Sequence, residues 1–230
     1  MNILITGGSG LLGTHLIKLI DKNHNLLCPK SSELNILNIQ QLNDYFNANK
    51  IDLVIHCAAY TDVKKAQHDF VNCMNVNIVG TCNLVSLCSS MNIRIIYIST
   101  DQVFDGNKGD YRVNDCINPI NKYAKSKASG ELAVRMLENS LVIRTSFFGN
   151  DFPYDIAFYD QYTTKDYIDI MAPKILNLCL SNKTGIVHCA SNKKTLYELA
   201  KEKKPNIKKA SRKDFAFSTP FDTSLIEEEE

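Results

Sequence analysis

The sequence predicts an α/β protein in which a doubly wound parallel sheet is followed by a small C-terminal α/β annex. Two observations predict this class. Strand-like runs alternate with helical runs over the first 149 residues, and the first strand enters a helix through a glycine-rich turn. Parallel strands need a crossover connection, usually a helix, so this alternation is typical of a parallel sheet covered by helices.

The N-terminal segment MNILITGGSGLLG carries the strongest signal. Residues 3–6 predict a strand, Gly7-x-x-Gly10-x-x-Gly13 follows, and the chain up to Ile20 predicts a helix. Gly7 allows a sharp turn, Gly10 a close approach of a pyrophosphate, and Gly13 tight packing of the helix on the strand. Free backbone N–H groups at a helix N-terminus bind diphosphates, so this segment predicts a dinucleotide site in a Rossmann-like sheet.

The other elements follow from apolar runs and from helical spacing, as at Leu42, Tyr45 and Phe46. Strands are predicted at residues 2–6, 24–28, 52–57, 93–99 and 140–145. Helices are predicted at residues 12–21, 39–48, 63–89 and 121–139. Beyond Gly149 we expect a helix near 166–181, a short strand at 186–189 and a helix near 195–203. The pattern predicts a dinucleotide-binding Rossmann domain over residues 1–149, a substrate-side annex over 150–226 and a disordered acidic tail over 227–230.

The composition argues against several kinds of partner. The 230 residues carry a formal net charge of +1, which gives no reason to expect nucleic acid or an anionic membrane. No apolar run approaches the ~20 residues that cross a bilayer, and the N-terminus lacks the basic region of a signal peptide. The eight cysteines include no C-x-x-C pair, so we expect reduced cysteines, no metal site and a cytoplasmic protein.

Tyr123 and Lys127 form a candidate acid–base pair. Their spacing of four residues places both on one face of the predicted helix. Because an adjacent ammonium favours phenolate, we expect Lys127 to lower the pKa of Tyr123 and make it a usable general acid or base. Two other pairs have the same spacing, Tyr60 with Lys64 and Tyr197 with Lys201.

The context of Tyr123 favours it over the other two tyrosines. It alone follows a predicted strand that ends in hydroxyl groups, at Ser99 and Thr100. Such hydroxyls either hold a substrate carbonyl or simply cap the turn. The sequence leaves both roles open.

The end of the second predicted strand indicates which dinucleotide binds. NAD sites usually carry an acidic residue there to accept the ribose 2′-hydroxyl. This chain instead has Lys30 and Ser31, with no carboxylate before Glu33. A lysine and hydroxyls suit a 2′-phosphate, so we expect NADPH, with NADH still open and with Asn35 and Ile36 near the adenine.

Six segments, taken in order, resemble the extended short-chain dehydrogenase/reductase family and, within it, the dTDP-4-dehydrorhamnose reductase group. These segments are GGSGLLG at 7–13, HCAAYTDV at 56–63, NIVGT at 77–81, STDQVFDG at 99–106, PINKYAKSKASGE at 119–131 and IRTSFFG at 143–149. A weaker similarity covers DQYTTKDYIDIMA at 160–172. The resemblance implies a reductase acting on the C4 keto group of a nucleotide-linked 4-keto-6-deoxy sugar, with dTDP or UDP as the nucleotide.

The resemblance also implies which residues would form the site. Tyr123 would protonate the C4 oxygen, Thr100 would steady that oxygen, and Lys127 would complete the catalytic trio. The expected substrate-binding residues are Thr100, Gln102 and Phe147. The expected cofactor-binding residues, including those inferred above, are Gly7, Gly10, Leu11, Leu12, Gly13, Lys30, Ser31, Asn35, Ile36, Ala58, Ala59, Tyr60, Thr61, Asn77, Ser99, Tyr123 and Lys127.

The chain departs from the family pattern mainly in the substrate half. That half is shorter, and the arginine expected before Pro220 is Thr219. Gln102 stands where a related group that also epimerises the sugar has a cysteine. Gln102 therefore favours reduction without epimerisation, and a bifunctional 3,5-epimerase/4-reductase stays an alternative. The shorter substrate half favours the other alternative, a non-catalytic NADP-binding regulatory subunit like the methionine adenosyltransferase β subunit. A homodimer and a regulated partner enzyme are both open.

Overall fold

Among residues 1–215 and 220–228, which the computed structural model describes, six parallel strands form a central sheet. The strands in chain order are β1 (Asn2–Thr6), β2 (Asn25–Leu27), β3 (Leu53–His56), β4 (Arg94–Thr100), β5 (Leu141–Thr145), β6 (Phe147–Phe148), β7 (Ile156–Phe158), β8 (Tyr162–Thr163), β9 (Asp166–Tyr167), β10 (Gly185–Cys189), β11 (Lys194–Thr195) and β12 (Lys208–Ala210). The central sheet has the order β2-β1-β3-β4-β5-β10. The predicted doubly wound parallel sheet is confirmed.

Helices cover both faces of this sheet. They are α1 (Leu11–Leu19), α2 (Ile39–Ala48), α3 (Val63–Ala66), α4 (Phe70–Met74), α5 (Thr81–Ser90), α6 (Lys122–Val134), α7 (Ile168–Leu180) and α8 (Leu196–Lys203). Short turns complete the helical segments, a π-helical one at Asn75–Gly80 and 3-10 ones at Asp101–Val103 and Arg212–Asp214. In β1, Ile3 packs in a core with α1 and α7, whereas Leu4 packs in a second core with α2 and α5. Alternate side chains of a strand point to opposite faces, so the sheet is buried on both sides.

The strand predicted at 186–189 lies in the central sheet rather than in the predicted annex. It forms β10, which runs parallel to β5, and the helix predicted near 166–181 forms α7, which packs against α1. A strand has the same local sequence pattern whether it joins the central sheet or a separate annex. The pattern alone therefore could not show to which of them residues 186–189 belong. The division into domains at residue 149 itself stays a prediction.

The helix predicted at 63–89 is broken in the structure. The chain leaves α3 after Ala66 and re-enters helix at Phe70, and a π-helical turn then joins α4 to α5. This continuous helix, Phe70–Ser90, has a mean hydropathy of 1.3 and is long and apolar enough to cross a membrane by those two measures. Its Leu84, Leu87 and Cys88 lie in the second core beside the sheet, as expected for a core helix of a folded domain.

The acidic end of the chain contacts the sheet at its first glutamate. The Glu227 carboxylate accepts a hydrogen bond from the backbone N–H of Ala190 at 2.7 Å and lies 3.5 Å from the Lys174 ammonium. The disordered acidic tail predicted over residues 227–230 itself stays a prediction. Residues 229–230 lie outside the described residues.

Candidate active site

A cleft of about 1090 Å³ lies at the carboxyl ends of the central strands. Gly7 follows β1, Ala58 follows β3 and Thr100 ends β4, and all three line this cleft. From β1 the chain builds the sheet outward in both directions, to β2 on one side and to β3 on the other. Ligands of doubly wound sheets bind at such a reversal of strand order, so the fold places a binding site here.

The glycine loop has the geometry that the spacing predicts. Gly7 has a φ of +71°, and a Cβ there would lie 2.6 Å from the backbone nitrogen of Ala58. A Cβ on Gly13 would lie 2.4 Å from the carbonyl oxygen of Gly7. Helix α1 can therefore pack this closely against the loop only if residue 13 has no side chain. Gly10 is the N-cap residue of α1, and no side chain caps this helix end. Backbone N–H groups of the first turn are thus available to a ligand.

Thr100, Tyr123 and Lys127 all line the same cleft as the glycine loop. The side chain of Asn121 accepts a hydrogen bond from the backbone N–H of Ala124 at 2.8 Å, which caps α6 and fixes the turn that carries Tyr123. The Thr100 hydroxyl accepts a hydrogen bond from the backbone N–H of Gln102 at 3.2 Å. Both roles foreseen for Thr100, turn capping and a place in the site, are therefore compatible.

Burial raises the pKa of the Tyr123 phenol, and a hydrogen bond with the Thr100 side chain partly opposes that rise. The predicted lowering of this pKa by Lys127 is wrong. The Lys127 ammonium donates to the carbonyl oxygen of Ile98 at 2.7 Å and lies 4.0 Å from the ring centroid of Tyr97. Burial lowers the pKa of Lys127 to about 7. Helical spacing places two side chains on one face, but the strand carbonyl next to that face decides where the ammonium points.

Ser99 is hydrogen-bonded to a buried ion pair. Its hydroxyl donates to the Glu131 carboxylate at 3.0 Å, and that carboxylate pairs with the Arg144 guanidinium at 2.5 Å. Glu131 and Arg144 are 0% and 1% exposed, respectively. The pair joins helix α6 to β5 and fixes the end of β4, which carries Thr100.

Asn77 and Tyr60 support the cleft without lining it. The Asn77 side chain donates to the backbone carbonyl of Tyr60 and accepts from its N–H, at 3.0 and 2.8 Å. It also donates to the Ser126 hydroxyl on α6 at 2.8 Å. Asn77 lies in the π-helical turn, a feature that often accompanies functional sites and that apolar periodicity does not reveal.

The tyrosines of the two competing tyrosine–lysine pairs lie outside the cleft lining. The Tyr60 hydroxyl donates to Asp69 at 3.0 Å, and Tyr197 lies on α8 with Lys201 over its ring. Of the three tyrosines with this spacing, only Tyr123 lines the cleft. The choice made from sequence context therefore agrees with the geometry.

Part of the expected adenosine site lies in the wall of the cleft that follows β2. Ser31, Asn35 and Ile36 line the cleft, whereas Lys30 is exposed and outside the lining. Glu33 turns away, because its carboxylate accepts the backbone N–H of Lys30 at 2.8 Å. Among the described residues from 25 to 37, no acidic side chain lines the cleft.

Most of the residues expected at the site are thus brought together in one cleft. Those that line it are Gly7, Gly10, Leu11, Leu12, Gly13, Ser31, Asn35, Ile36, Ala58, Ala59, Thr61, Ser99, Thr100, Gln102, Tyr123, Lys127 and Phe147. Those that do not line it are Lys30, Tyr60 and Asn77. We call the walls from residues 6–64 the glycine-loop half and the walls from residues 147–165 the aromatic half.

The aromatic half contains residues that the sequence analysis missed. Phe148, Phe152 and Tyr154 contact one another edge to face, with ring centroids 5.2 to 6.2 Å apart, and all line the cleft. Lys165 also lines it. The signal available in the sequence was the pair of aromatic residues on either side of Pro153.

The C-terminal segment closes the cleft beside Thr100. The Thr223 hydroxyl donates to the Asp101 carboxylate at 2.7 Å, and the backbone N–H of Asp222 donates to the Gly106 carbonyl at 2.9 Å. Pro220 and Thr223 line the cleft. Thr219, which stands in place of the expected arginine, lies outside the described residues.

Comparison with known proteins agrees with this geometry. Residues 1–153 match the family described as the RmlD substrate binding domain. A dTDP-4-dehydrorhamnose reductase of Aggregatibacter actinomycetemcomitans is 37% identical over 158 residues, covering 65% of this chain and 54% of that protein. Methionine adenosyltransferase 2 subunit beta of Bos taurus is 36% identical over 149 residues, covering 60% of this chain and 43% of that protein. The crystal structure of a dTDP-4-dehydrorhamnose reductase from Bacillus anthracis in complex with NADP has a TM-score of 0.89 and 25% identity, covering 99% of this chain and 90% of that one.

The chain spans about half the length of the curated relatives it matches. The family match covers 153 of its 230 residues and contains the glycine loop, Thr100, Tyr123 and Lys127. The chain therefore belongs to the RmlD substrate binding domain family.

Proposed function

We propose that this chain catalyses the NADPH-dependent reduction of the C4 keto group of a nucleotide-linked 4-keto-6-deoxy sugar, giving the L-rhamnose nucleotide with dTDP or UDP. One observation carries the proposal. A half-buried phenol that interacts with a threonine hydroxyl, Tyr123 with Thr100, lines the same cleft as an uncapped glycine-loop helix. Reduction of a ketone needs a hydride donor and a proton donor at one carbonyl, and this cleft offers a place for each.

The residues present fit a dinucleotide. Side chains at Gly7 and Gly13 would fill the loop, and the free N–H groups at the start of α1 suit a diphosphate. Leu11, Ala58 and Thr61 would flank the dinucleotide along the glycine-loop half. When bound, the reduced nicotinamide would supply the hydride. Among the described residues 25–37, no acidic side chain lines the cleft, whereas Ser31 lines it and Lys30 is nearby, and this supports NADPH over NADH.

The protein's own groups would supply the rest of the reaction. Burial keeps the Tyr123 phenol protonated at neutral pH, so its hydroxyl can donate a proton to the C4 oxygen as charge develops there. The Thr100 hydroxyl would hold that oxygen in place. Lys127 is held by its hydrogen bond to the Ile98 carbonyl, and its pKa is about 7. Its ammonium would donate hydrogen bonds to the ribose hydroxyls. The eight free cysteines suit the reducing cytoplasm, where we place the protein.

The decisive experiment compares Tyr123→Phe with Tyr197→Phe. We expect Tyr123→Phe to lower kcat for the NADPH-dependent reduction of a dTDP-4-keto-6-deoxy sugar by roughly 100-fold or more, the usual contribution of a general acid. NADPH affinity, measured by calorimetry, should stay within twofold of the wild type, roughly the error of such a comparison. Tyr197→Phe, which has the same lysine spacing outside the cleft, should keep wild-type turnover. Equal activity of all three proteins would refute Tyr123 as the proton donor.

A second candidate rests on the similarity to methionine adenosyltransferase 2 subunit beta, whose 36% identity is close to the 37% of the reductase. In that case the chain would bind a catalytic partner and would not turn over a sugar nucleotide. Stoichiometric capture of such a partner, with no oxidation of NADPH by any 4-keto-sugar nucleotide, would decide for this function.

A further inference from the structure

Lys165 lies in the wall of the cleft, between β8 and β9, and the proposed chemistry gives it no role. Its ammonium lies 4.4 Å from the ring centroid of Phe148 in the aromatic half. The side chain is half-buried, and burial lowers the pKa of Lys165 while the Asp101 carboxylate opposes that effect. The face of Phe148 therefore supplies the ammonium with a weak cation–π contact in place of part of its hydration shell.

The surroundings of Lys165 differ from those of its neighbours. Lys193 pairs with Asp222 at 3.0 Å and Lys194 with Asp166 at 3.0 Å. Among the described residues, no carboxylate lies within 4.0 Å of the Lys165 ammonium. A half-buried cation without a carboxylate partner is unfavourable in the protein alone, and an anionic ligand would remove that penalty.

The cations that line the cleft among the described residues are Lys64, Lys127 and Lys165. Lys127 is already bonded to the Ile98 carbonyl, and Lys64 is exposed on the short helix α3 in the glycine-loop half. Lys165 is therefore the lining cation in the aromatic half. The described lining contains no arginine.

Aromatic rings surround the same region. Phe148, below the ammonium, contacts both Phe152 and Tyr154 edge to face, and all three rings line the cleft. Aromatic faces suit a planar base or the apolar face of a sugar, whereas an ammonium suits a phosphate. The combination fits a nucleoside diphosphate better than it fits an uncharged sugar.

We propose that Lys165 binds the diphosphate of the nucleotide-sugar substrate and is a specificity-determining residue of the aromatic half. This inference rests on the proposed reductase function, since it assigns one contact of that substrate. The contact is a charge-assisted hydrogen bond from the ammonium to a phosphate oxygen, made beside the Phe148 ring. No bond is formed or broken at this residue.

The test measures binding of dTDP by calorimetry, without turnover, to the wild type and to Lys165→Met, Lys165→Arg and Lys209→Met. Lys209 is a matched control, because its ammonium also lies over tyrosine rings, of Tyr159 and Tyr197, but outside the cleft lining. We expect Lys165→Met to weaken dTDP binding roughly 10- to 100-fold, the usual effect of losing a hydrogen bond to a charged group, with Lys165→Arg restoring most of it. NADPH affinity should be unchanged in every variant.

Steady-state kinetics with the 4-keto-sugar nucleotide provide a second measurement. We expect Lys165→Met to raise KM and to change kcat little. Unchanged dTDP affinity in Lys165→Met, or an equal loss in Lys209→Met, would overturn the assignment of Lys165 and leave the reductase function standing. A wild type that binds NADPH but neither dTDP nor UDP would overturn both. Competition by glucuronate, but not by dTDP, would overturn the diphosphate assignment in favour of a carboxylate on the sugar.

Discussion

The two halves of the cleft are built by different kinds of chain connection. In the glycine-loop half, the central wall residues lie just after strands of the central sheet, as Gly7 does after β1 and Ala58 does after β3. In the aromatic half, short strands pair across long stretches of chain, β6 with β9, β8 with β11 and β7 with β12. The first half is held by the sheet, and the second is held by contacts between distant segments.

The two halves therefore differ in how much change in side-chain volume they can accommodate. The glycine loop allows almost no added volume, since the backbone of Ala58 lies against Gly7. In the aromatic half, Tyr154 lines the cleft while 52% of its surface is exposed. We therefore expect changes in the glycine-loop half to alter stability and cofactor binding together, and changes in the aromatic half to alter only sugar-nucleotide binding.

The largest effect is expected for Gly7→Ala. The residue has a φ of +71°, and the added Cβ would meet the backbone nitrogen of Ala58 at 2.6 Å. Left-handed strain together with overpacking should lower the free energy of unfolding by about 2–5 kcal/mol, and NADPH binding should be lost with it. Urea denaturation and calorimetry measure the two quantities.

Gly185→Ala is the matched control for this substitution. Gly185 has a φ of +81°, and an added Cβ there would meet nothing within 4 Å. Only the conformational strain remains, so the loss should be about 1–2 kcal/mol with NADPH affinity unchanged. Equal losses at the two glycines would show that the contact with Ala58 is unimportant, and the contrast between the halves would lose its main support.

The second effect concerns Lys127, at the boundary between the halves. Burial lowers its pKa in the folded state from 10.5 to about 7. Between these values the unfolded chain keeps a proton on Lys127 that the folded chain has released, so stability rises with pH by about 1.4 kcal/mol per pH unit. Below pH 7 both states are protonated, and the full penalty of burying the ammonium applies.

Lys127→Met isolates this contribution from that of other groups. We expect the free energy of unfolding of the wild type, minus that of the variant, to increase with about this slope from about pH 8 to pH 9.5, between the two pKa values. The buried thiols, such as Cys57, are present in both proteins, and their titration largely cancels in the difference. A difference independent of pH would mean that Lys127 keeps its ordinary pKa.

What could be predicted from the sequence follows the same division. The glycine loop, Thr100 and Tyr123 were predicted because each is adjacent in sequence to the element that positions it. The Lys127 contact was not predicted, because its partner is the Ile98 carbonyl, 29 residues away. Such a contact depends on how closely α6 packs against β4.

The aromatic half could not be predicted for the same physical reason. Phe148 and Lys165 come together because β6 pairs with β9, and no local periodicity encodes that pairing. Likewise, β10 was assigned to the annex because its place in the sheet is set by its pairing with β5. Short strands of two or three residues carry too few side chains to reveal an alternating pattern.

A smaller effect is expected for Tyr154→Ala in the aromatic half. Loss of one aromatic contact should raise KM for the 4-keto-sugar nucleotide about 3- to 10-fold, with kcat and NADPH affinity unchanged. Tyr159→Ala is the control, because Tyr159 is 45% exposed but does not line the cleft. If Tyr154→Ala weakened NADPH binding as strongly as sugar-nucleotide binding, the two halves would not be separable.

The smallest effect is expected for Lys30→Met. Lys30 is exposed and outside the cleft lining, so its ammonium can only approach a 2′-phosphate at the rim beyond Ser31. Exposed ion pairs contribute little, and the ratio of NADPH to NADH affinity should fall roughly two- to fivefold. Lys22→Met, an exposed lysine before β2, serves as the control and should leave the ratio unchanged. A ratio unaffected by Lys30→Met would assign the preference for NADPH to Ser31 and to the absence of a carboxylate, which are features of the wall itself.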